Sequence, residues 1–307
     1  MVFKIGCCGF PTSKLKYFKT FGLVELNSTF YAYPKLTLVK KWREEAPPNF
    51  EFTVKAHQDI SHNYKLADSL DSLRAFDQMK DICLTLNAKI LLIQTPGSFK
   101  PTKENIATAQ KFFEKIDRNG LAVAWETRGP DWDQPALRKT LAIMLKELNV
   151  THVTDPFKTM PIHAGPFAYF RLHGLGTRMY YYQYSDNELR KLIEKVSPIE
   201  KQGKTVYIFF NNLAMLDDGQ RLDYFLRKNE FPSITGATGL ESVRMLIQRT
   251  RYPAPKGKLS KLFGWRLVEW KKDEQIPLDN LLKALPTRTY ESVEEVLSEI
   301  KKSKEIS

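Results

Sequence analysis

Two spacings of apolar residues alternate along residues 1–230. Short runs rich in β-branched and aromatic side chains, such as Ile90-Leu91-Leu92-Ile93 and Val206-Tyr207-Ile208-Phe209, alternate with longer stretches whose apolar positions recur every three or four residues. The first spacing suits buried strands and the second amphipathic helices, and their alternation is the pattern of a parallel sheet built from βα units. Eight strands are predicted: Phe3 to Cys8, Leu23 to Asn27, Glu51 to Ala56, Ile90 to Thr95, Leu121 to Glu126, Thr151 to Asp155, Phe167 to His173 and Thr205 to Asn211. Between them the spacing predicts helices over Leu36 to Glu45, Leu70 to Leu86, Lys103 to Ile116, Gln134 to Leu148, Asp186 to Val196 and Gly219 to Arg227.

Eight such repeats predict a closed parallel βα barrel of the TIM type, with a small C-terminal α/β extension. An open doubly wound sheet is the alternative, but Gly6-Cys7-Cys8-Gly9 lacks the third glycine and the spacing of a phosphate-binding turn. Ser185 with Glu188, Asp217 with Gln220 and Ser292 with Glu295 have the spacing of capping boxes. The barrel is assigned to residues 1–230 and the extension to 231–307. In the extension the pattern predicts a helix from Leu240 to Thr250, a linker around Pro253 to Lys258, a strand near Trp265 to Trp270 and a closing helix from Val293 to Lys302.

With 42% hydrophobic and 12% aromatic residues, the chain can bury enough apolar surface to fold, which excludes disorder as its main state. No apolar run approaches the ~18–20 residues that cross a bilayer, and the first residues do not form a secretory signal, so a cytoplasmic protein is expected. The three cysteines do not make a disulfide framework or a zinc ribbon; Cys83 reads as a helical core residue.

In a βα barrel chemistry sits at the carboxyl ends of the strands, on residues of inward parity. Four ends carry polar pairs two residues apart: Glu25 and Asn27, Lys55 and His57, Glu126 and Arg128, Arg171 and His173. Gln94, Asp155 and the pair Asn211-Asn212 close three others. An internal ion-pair network that only seals the mouth is the plainer alternative, since such charges are seldom buried unless paired. Spread over so many strand ends, the pattern favours a site. His152 and His163 read as ordinary surface or loop histidines.

Two further stretches mix rings and charge. The loop after the seventh strand, Arg178 to Tyr184, offers Tyr181 and Tyr184 as stacking surfaces or as lid packing. Residues Arg249 to Lys272 carry eight Lys or Arg against Glu269, a net +7 of the chain's +12, with Tyr252, Phe263, Trp265 and Trp270 among them. That composition suits a surface tracking a phosphate backbone, with Arg249, Arg251, Lys256, Lys258, Lys261 and Arg266 as its cations.

Several of these residues fall in ordered motifs: Val24-Glu25-Leu26-Asn27-Ser28-Thr29-Phe30-Tyr31-Ala32-Tyr33-Pro34, Lys55 with His62 seven residues on, Glu126-Thr127-Arg128, Arg171-Leu172-His173-Gly174 followed by Tyr181 and Tyr184, and Phe210-Asn211-Asn212. Together they resemble the family called domain of unknown function 72, or YecE-like. The resemblance implies a βα barrel and no settled reaction, and it is weakest around Gly6-Cys7-Cys8-Gly9-Phe10 at the first strand and around the eighth strand, where the family's usual segment after Asn211-Asn212 is absent. The leading expectation is a phosphate-ester-processing enzyme of the nuclease type, whose partner is nucleic acid or another phosphorylated ligand. Lys55, Arg128 and Arg171 would hold phosphate, Glu126 or Glu25 would be the base and His173 its acid partner. A divalent metal could sit among Glu25, Glu126, Asp155, His62 and His173, although no ligand spacing marks a site. The alternatives are a carbohydrate-active barrel using Glu25 and Glu126 as acid and base, and a non-catalytic binding module.

Overall fold

A computed structural model describes residues 3–305. These residues fall into two compact units, the first comprising residues up to Leu172 and Leu192–Asn211, the second His173–Lys191 and residues from Asn212 onward.

The first unit holds eight parallel strands: β1 (Phe3–Cys7), β2 (Leu23–Leu26), β3 (Glu51–Lys55), β4 (Ile90–Gln94), β5 (Ala122–Glu126), β6 (Val150–Thr154), β7 (Phe167–Leu172) and β8 (Thr205–Phe210). Each pairs with its sequence neighbour from β2 to β8, and β1 pairs with β8, Phe3 opposite Val206 through Cys7 opposite Phe210. The last seam, between β1 and β2, is held by one isolated bridge, Cys8 with Glu25, where the Gly9 amide donates to the Glu25 carbonyl at 2.8 Å. The result is a nearly closed barrel. The predicted strands are all present, each ending within a residue or two of its predicted end.

Inward residues stack in layers, as barrels of this kind require. At the amino-terminal end Lys4 and the Tyr207 hydroxyl both bind Glu51. Above them Leu23, Leu92, Ala124, Val153, Tyr169 and Phe209 form a dry layer. The top layer is polar and carries Glu25, Lys55, Gln94, Glu126 and Arg171. Small and large residues face each other across the middle. Gly6 lies so close to β2 that an added Cβ would stand 2.8 Å from the Leu23 carbonyl oxygen and 3.2 Å from the Phe209 ring.

The helices are α1 (Lys14–Thr20), α2 (Leu36–Glu45), α3 (Leu70–Leu86), α4 (Lys103–Lys115), α5 (Pro135–Glu147), α6 (Asp186–Glu200) and α7 (Met215–Lys228). Ser69 and Thr102 cap α3 and α4 through their hydroxyls, and Asn87 ends α3 in the left-handed conformation. Cys83 is fully buried on α3, as its pattern predicts. Helix α1 escapes the periodicity because only Tyr17 of its seven residues is buried. Ser185 and Glu188 do form a capping box at α6. Asp217 with Gln220 does not: α7 starts earlier, at Met215, and Asp217 pairs instead with Arg266 at 2.8 Å.

The second unit contains α7, the loop after β7 and the C-terminal elements α8 (Gly239–Ile247), β9 (Ala254–Pro255), α9 (Lys256–Phe263), β10 (Leu267–Lys271), β11 (Glu274–Pro277), α10 (Asp279–Leu282), β12 (Thr289–Tyr290) and α11 (Val293–Glu305). The expected linker at Pro253 to Lys258 is a short strand followed by the first turn of α9; Pro255, with its fixed φ, precedes that turn as the N-cap. Val243, Ile247, Leu259, Val268, Leu281 and Val296 share a core, with Tyr252, Phe263 and Trp270 packed against it. The loop after β7 is tied to these elements, since Gln183 accepts from the Leu267 amide at 3.0 Å and Asp186 exchanges bonds with Gln275. Among the described residues no helix is long and apolar enough to cross a membrane.

Gly6→Ala tests the close approach of β1 and β2. It should lower stability by about 1–3 kcal/mol through overpacking, while Gly22→Ala, with open space around its Cβ, should move the denaturation midpoint little.

Candidate functional site at the barrel mouth

The centre of the mouth is a buried guanidinium between two carboxylates. Arg171, 1% exposed at the end of β7, donates from Nε and Nη2 to Glu25 at 2.8–3.2 Å and from Nη1 to Glu126 Oε2 at 2.6 Å. Glu25 is wholly buried and also accepts from the Tyr169 hydroxyl at 2.7 Å, and that hydroxyl lies 2.9 Å from Thr53 Oγ1. Glu126 accepts from Gln94 Nε2 at 2.7 Å and from Arg128 Nε at 3.1 Å.

Strand parity brings these groups together. Glu25, Gln94, Glu126 and Arg171 each sit one step above an inward residue of the dry layer, so β2, β4, β5 and β7 all aim a polar side chain at the same point.

The charges hold one another in place. Burial alone would raise the Glu25 carboxyl, but the Arg171 charge and its hydrogen bonds outweigh that and keep Glu25 below its ordinary 4.5. Against burial, Glu25 and Glu126 push Arg171 well above its usual range. Burial, with Glu25 adding to it, raises the neighbouring Cys8 thiol, so Cys8 stays protonated. Glu25 therefore stabilises the fold above the ordinary carboxylate range and ceases to as the pH falls through its lowered value.

Lys55 is different. Its side chain, 8% exposed, lies with Nζ 3.9 Å from the centre of the Phe30 ring, and among the described residues it makes no ion pair. Burial and the charge of Arg171 bring its pKa down to about 8. The turn Ser28–Phe30 places that ring: Thr29 Oγ1 donates to the Lys55 carbonyl at 2.7 Å, locking the turn after β2 onto β3. Phe30 also meets the His62 ring edge-on at 5.0 Å. His62 has Nδ1 2.8 Å from Ser61 Oγ, and burial plus the charges of Lys55 and Arg128 lower its pKa, leaving it neutral at pH 7. Tyr33 stacks on His57 at 3.9 Å, and both meet Asp59.

The structure thus gathers Glu25, Lys55, His62, Gln94, Glu126, Arg128 and Arg171. Asn27, Asp155 and Asn211 lie at the ends of their strands, Asp155 two residues beyond the inward Val153. Tyr184 and Asn212 belong to the second unit and are buried there. The Tyr184 hydroxyl accepts from the Gly174 amide, and Asn212 donates to Asp218 and to the Tyr182 carbonyl. Tyr181 and His173 also belong to that unit, where Tyr181 meets Trp265 and His173 lies near Tyr180.

His152 corrects its expected surface placement: it is buried on β6, bonded to Thr127 at 3.1 Å, and burial brings its pKa down to about 3. Of the basic residues in the C-terminal stretch, Lys256 is spent on the Lys283 and Leu285 carbonyls and Arg266 on Asp217, while Arg249, Arg251, Lys258 and Lys261 are exposed. Among the described residues no three His, Cys, Asp or Glu side chains form a metal-holding group. Glu25 and Glu126 instead face the Arg171 cation.

Sequence reasoning misses Tyr169, Thr53, Cys8 and Phe30. Parity would have found Tyr169, two residues before Arg171 on the same face, and Thr53, two before Lys55. Nothing local marks Phe30, whose role depends on the turn folding back over β3.

The two kinds of buried charge predict opposite responses. Glu25→Gln leaves Arg171 half-paired and should cost about 3–5 kcal/mol in chemical denaturation. Lys55→Met removes an unanswered cation and should leave the protein as stable or more stable at pH 7, an advantage that shrinks as the pH rises from about 8 towards 10, where the wild-type lysine loses its proton.

Comparison with known proteins supports the fold and the family. A DUF72 family protein of Enterococcus faecalis V583 superposes with a TM-score of 0.62 at 26% identity, over 74% of this chain and 98% of that one. A DUF72 family protein of Thermotoga maritima MSB8 gives 0.61 at 24% identity, over 74% and 100%. The protein YunF of Bacillus subtilis (strain 168) is 27% identical over 234 residues, 64% of this chain and 79% of YunF. The family model described as "Protein of unknown function DUF72" matches residues 12–229. With most of the barrel sequence under that match, the chain belongs to the DUF72 family.

Proposed function

We propose that the barrel mouth binds a phosphorylated substrate and processes its phosphate ester. The observation that carries this reading is Lys55: Arg171 and Arg128 answer the two carboxylates charge for charge, so Lys55 is a surplus, mostly buried cation. A desolvated charge without a partner is destabilising, and an anionic ligand offsets that cost. Lys55 and Arg128, the latter with 29% of its side chain exposed, would take phosphoryl oxygens, and Gln94, Asn27 and Asn211 would supply neutral polar contacts.

In the hydrolytic form of this reading, water attacks phosphorus and the bond to the leaving oxygen breaks. His62 accepts the water's proton through Nε2, the ring atom that Ser61 leaves open. Lys55, with its pKa near 8, gives a proton to the leaving oxygen. Glu25 and Glu126 position Arg171 and do not themselves transfer protons. The carbohydrate reading is weaker for the same reason: a glycosidase acid must be protonated, whereas Glu25 is held ionised by Arg171.

Calorimetric titration with inorganic phosphate and with p-nitrophenyl phosphate tests the proposal. Binding should be saturable in the wild type, weaken as the pH rises through about 8 and be at least ten-fold weaker in Lys55→Met. Equal affinity in folded Lys55→Met would remove Lys55 from the site and with it this reading. Turnover of the ester lost in His62→Gln with binding retained would support the proton transfer.

A further inference from the structure

The loop after β7 and the basic C-terminal stretch meet within the second unit around an open cavity of about 410 Å³. Its walls include Arg178 and Tyr181 from the loop, Ser260, Lys261 and Trp265 from α9 and the turn after it, and Asp279 at the start of α10. Arg178 sits over the Tyr181 ring, 3.2 Å from its centre, and Tyr181 meets Trp265 edge to face at 6.1 Å and 87°. Arg266 sits over Trp265 at 5.4 Å and is itself held by Asp217. The aromatic wall is therefore braced from both elements.

Neither Arg178 nor Lys261 is ion-paired among the described residues, and both are exposed at the cavity. Gly264 is required where it stands, because an added Cβ would lie 2.6 Å from the Ser260 carbonyl oxygen and 3.0 Å from the Asp279 carboxylate. That close approach keeps Ser260 and Asp279 beside the indole.

We propose that this cavity is a nucleotide-binding site, with a base stacked against Trp265 and its phosphate held by Arg178 and Lys261. An indole face beside two uncompensated cations is the pairing that single-stranded nucleic acid and free nucleotides share as a target. Ser260 and Asp279 line the same cavity, and the Asp279 carboxylate, whose Oδ2 pairs with Lys283 at 3.3 Å, keeps acceptor capacity for base-edge donors, which favours a base presenting adjacent N–H groups, such as guanine. The site is independent of the barrel-mouth reading, since none of its residues belongs to the first unit.

Titration calorimetry of the full chain with guanosine monophosphate and with a ten-nucleotide single-stranded DNA tests this. Saturable binding is expected, weakened at least about five-fold by Trp265→Ala, in line with the ~1–3 kcal/mol that stacking a base contributes. It should also weaken in Lys261→Gln, which leaves the aromatic wall intact and serves if Trp265→Ala does not fold. Lys228→Gln, an exposed cation outside the cavity, should bind as the wild type does. If the oligonucleotide binds more tightly than the mononucleotide, with affinity falling steeply as salt rises, the source is a nucleic-acid strand; equal affinities identify the free nucleotide. No saturable binding of either probe, or affinities unchanged in folded Trp265→Ala and Lys261→Gln, would overturn the proposal.

Discussion

The barrel depends on one buried cation. Arg171 joins β7 to β2 through Glu25 and to β5 through Glu126, so a single side chain ties together three strands that are not neighbours in the sheet. The tie also compensates for a weak seam. Among the described residues strands β1 and β2 are joined by the isolated Cys8–Glu25 bridge, and Glu25 is the residue that Arg171 grips from across the interior. Guanidinium suits this task because its fork bonds two carboxylates in one plane and it remains charged at any pH the fold survives. Removing one member would leave a charge desolvated and unanswered, which is why Tyr169, Thr53 and Gln94 complete the remaining hydrogen bonds.

That arrangement separates paired from unpaired charge at the same depth. The two carboxylates and Arg171 satisfy one another, and a group so engaged has little freedom to exchange protons with a substrate. Lys55 shares their burial but not their partners, and Phe30 beneath it offers only the weak field of an aromatic face. The polar layer is thus a rigid frame with one surplus positive charge, flanked by a neutral histidine and a partly exposed arginine. Frames of this kind suit preorganised recognition of an anion, because no charge has to be moved when the ligand arrives.

The second unit is built by a different principle. Its helices and short hairpins are too small to stand alone as layers, and they collect around a compact aliphatic core that runs from Val243 to Ile300. The high positive charge of residues 249–272 is partly consumed by this architecture: Lys256 ends two open carbonyls and Arg266 answers Asp217. Of the cations that remain exposed, Lys261 lines the cavity beside Trp265. Membership in the DUF72 family covers residues 12–229, so most of this unit lies beyond the family match.

Periodicity determined the barrel. Eight β-branched and aromatic runs alternating with amphipathic segments have no comparably simple closure, and inward parity at the strand ends named Glu25, Lys55, Glu126 and Arg171 in advance because the two-residue repeat of a strand is a local property. Short elements escaped: α1 buries one residue, and α9 begins inside a stretch whose Pro, Gly and Lys content imitates a linker. Tyr184 and Asn212, expected as ligand contacts, make buried hydrogen bonds within the second unit that no local pattern announces. What the tertiary structure alone decided was pairing. Sequence places several charges at one end of the barrel but does not state which charge answers which, since that depends on distances between strands far apart in the chain. Only the folded geometry spends Glu25 and Glu126 on Arg171 and leaves Lys55 over Phe30, in salt-bridge contact with no carboxylate among the described residues.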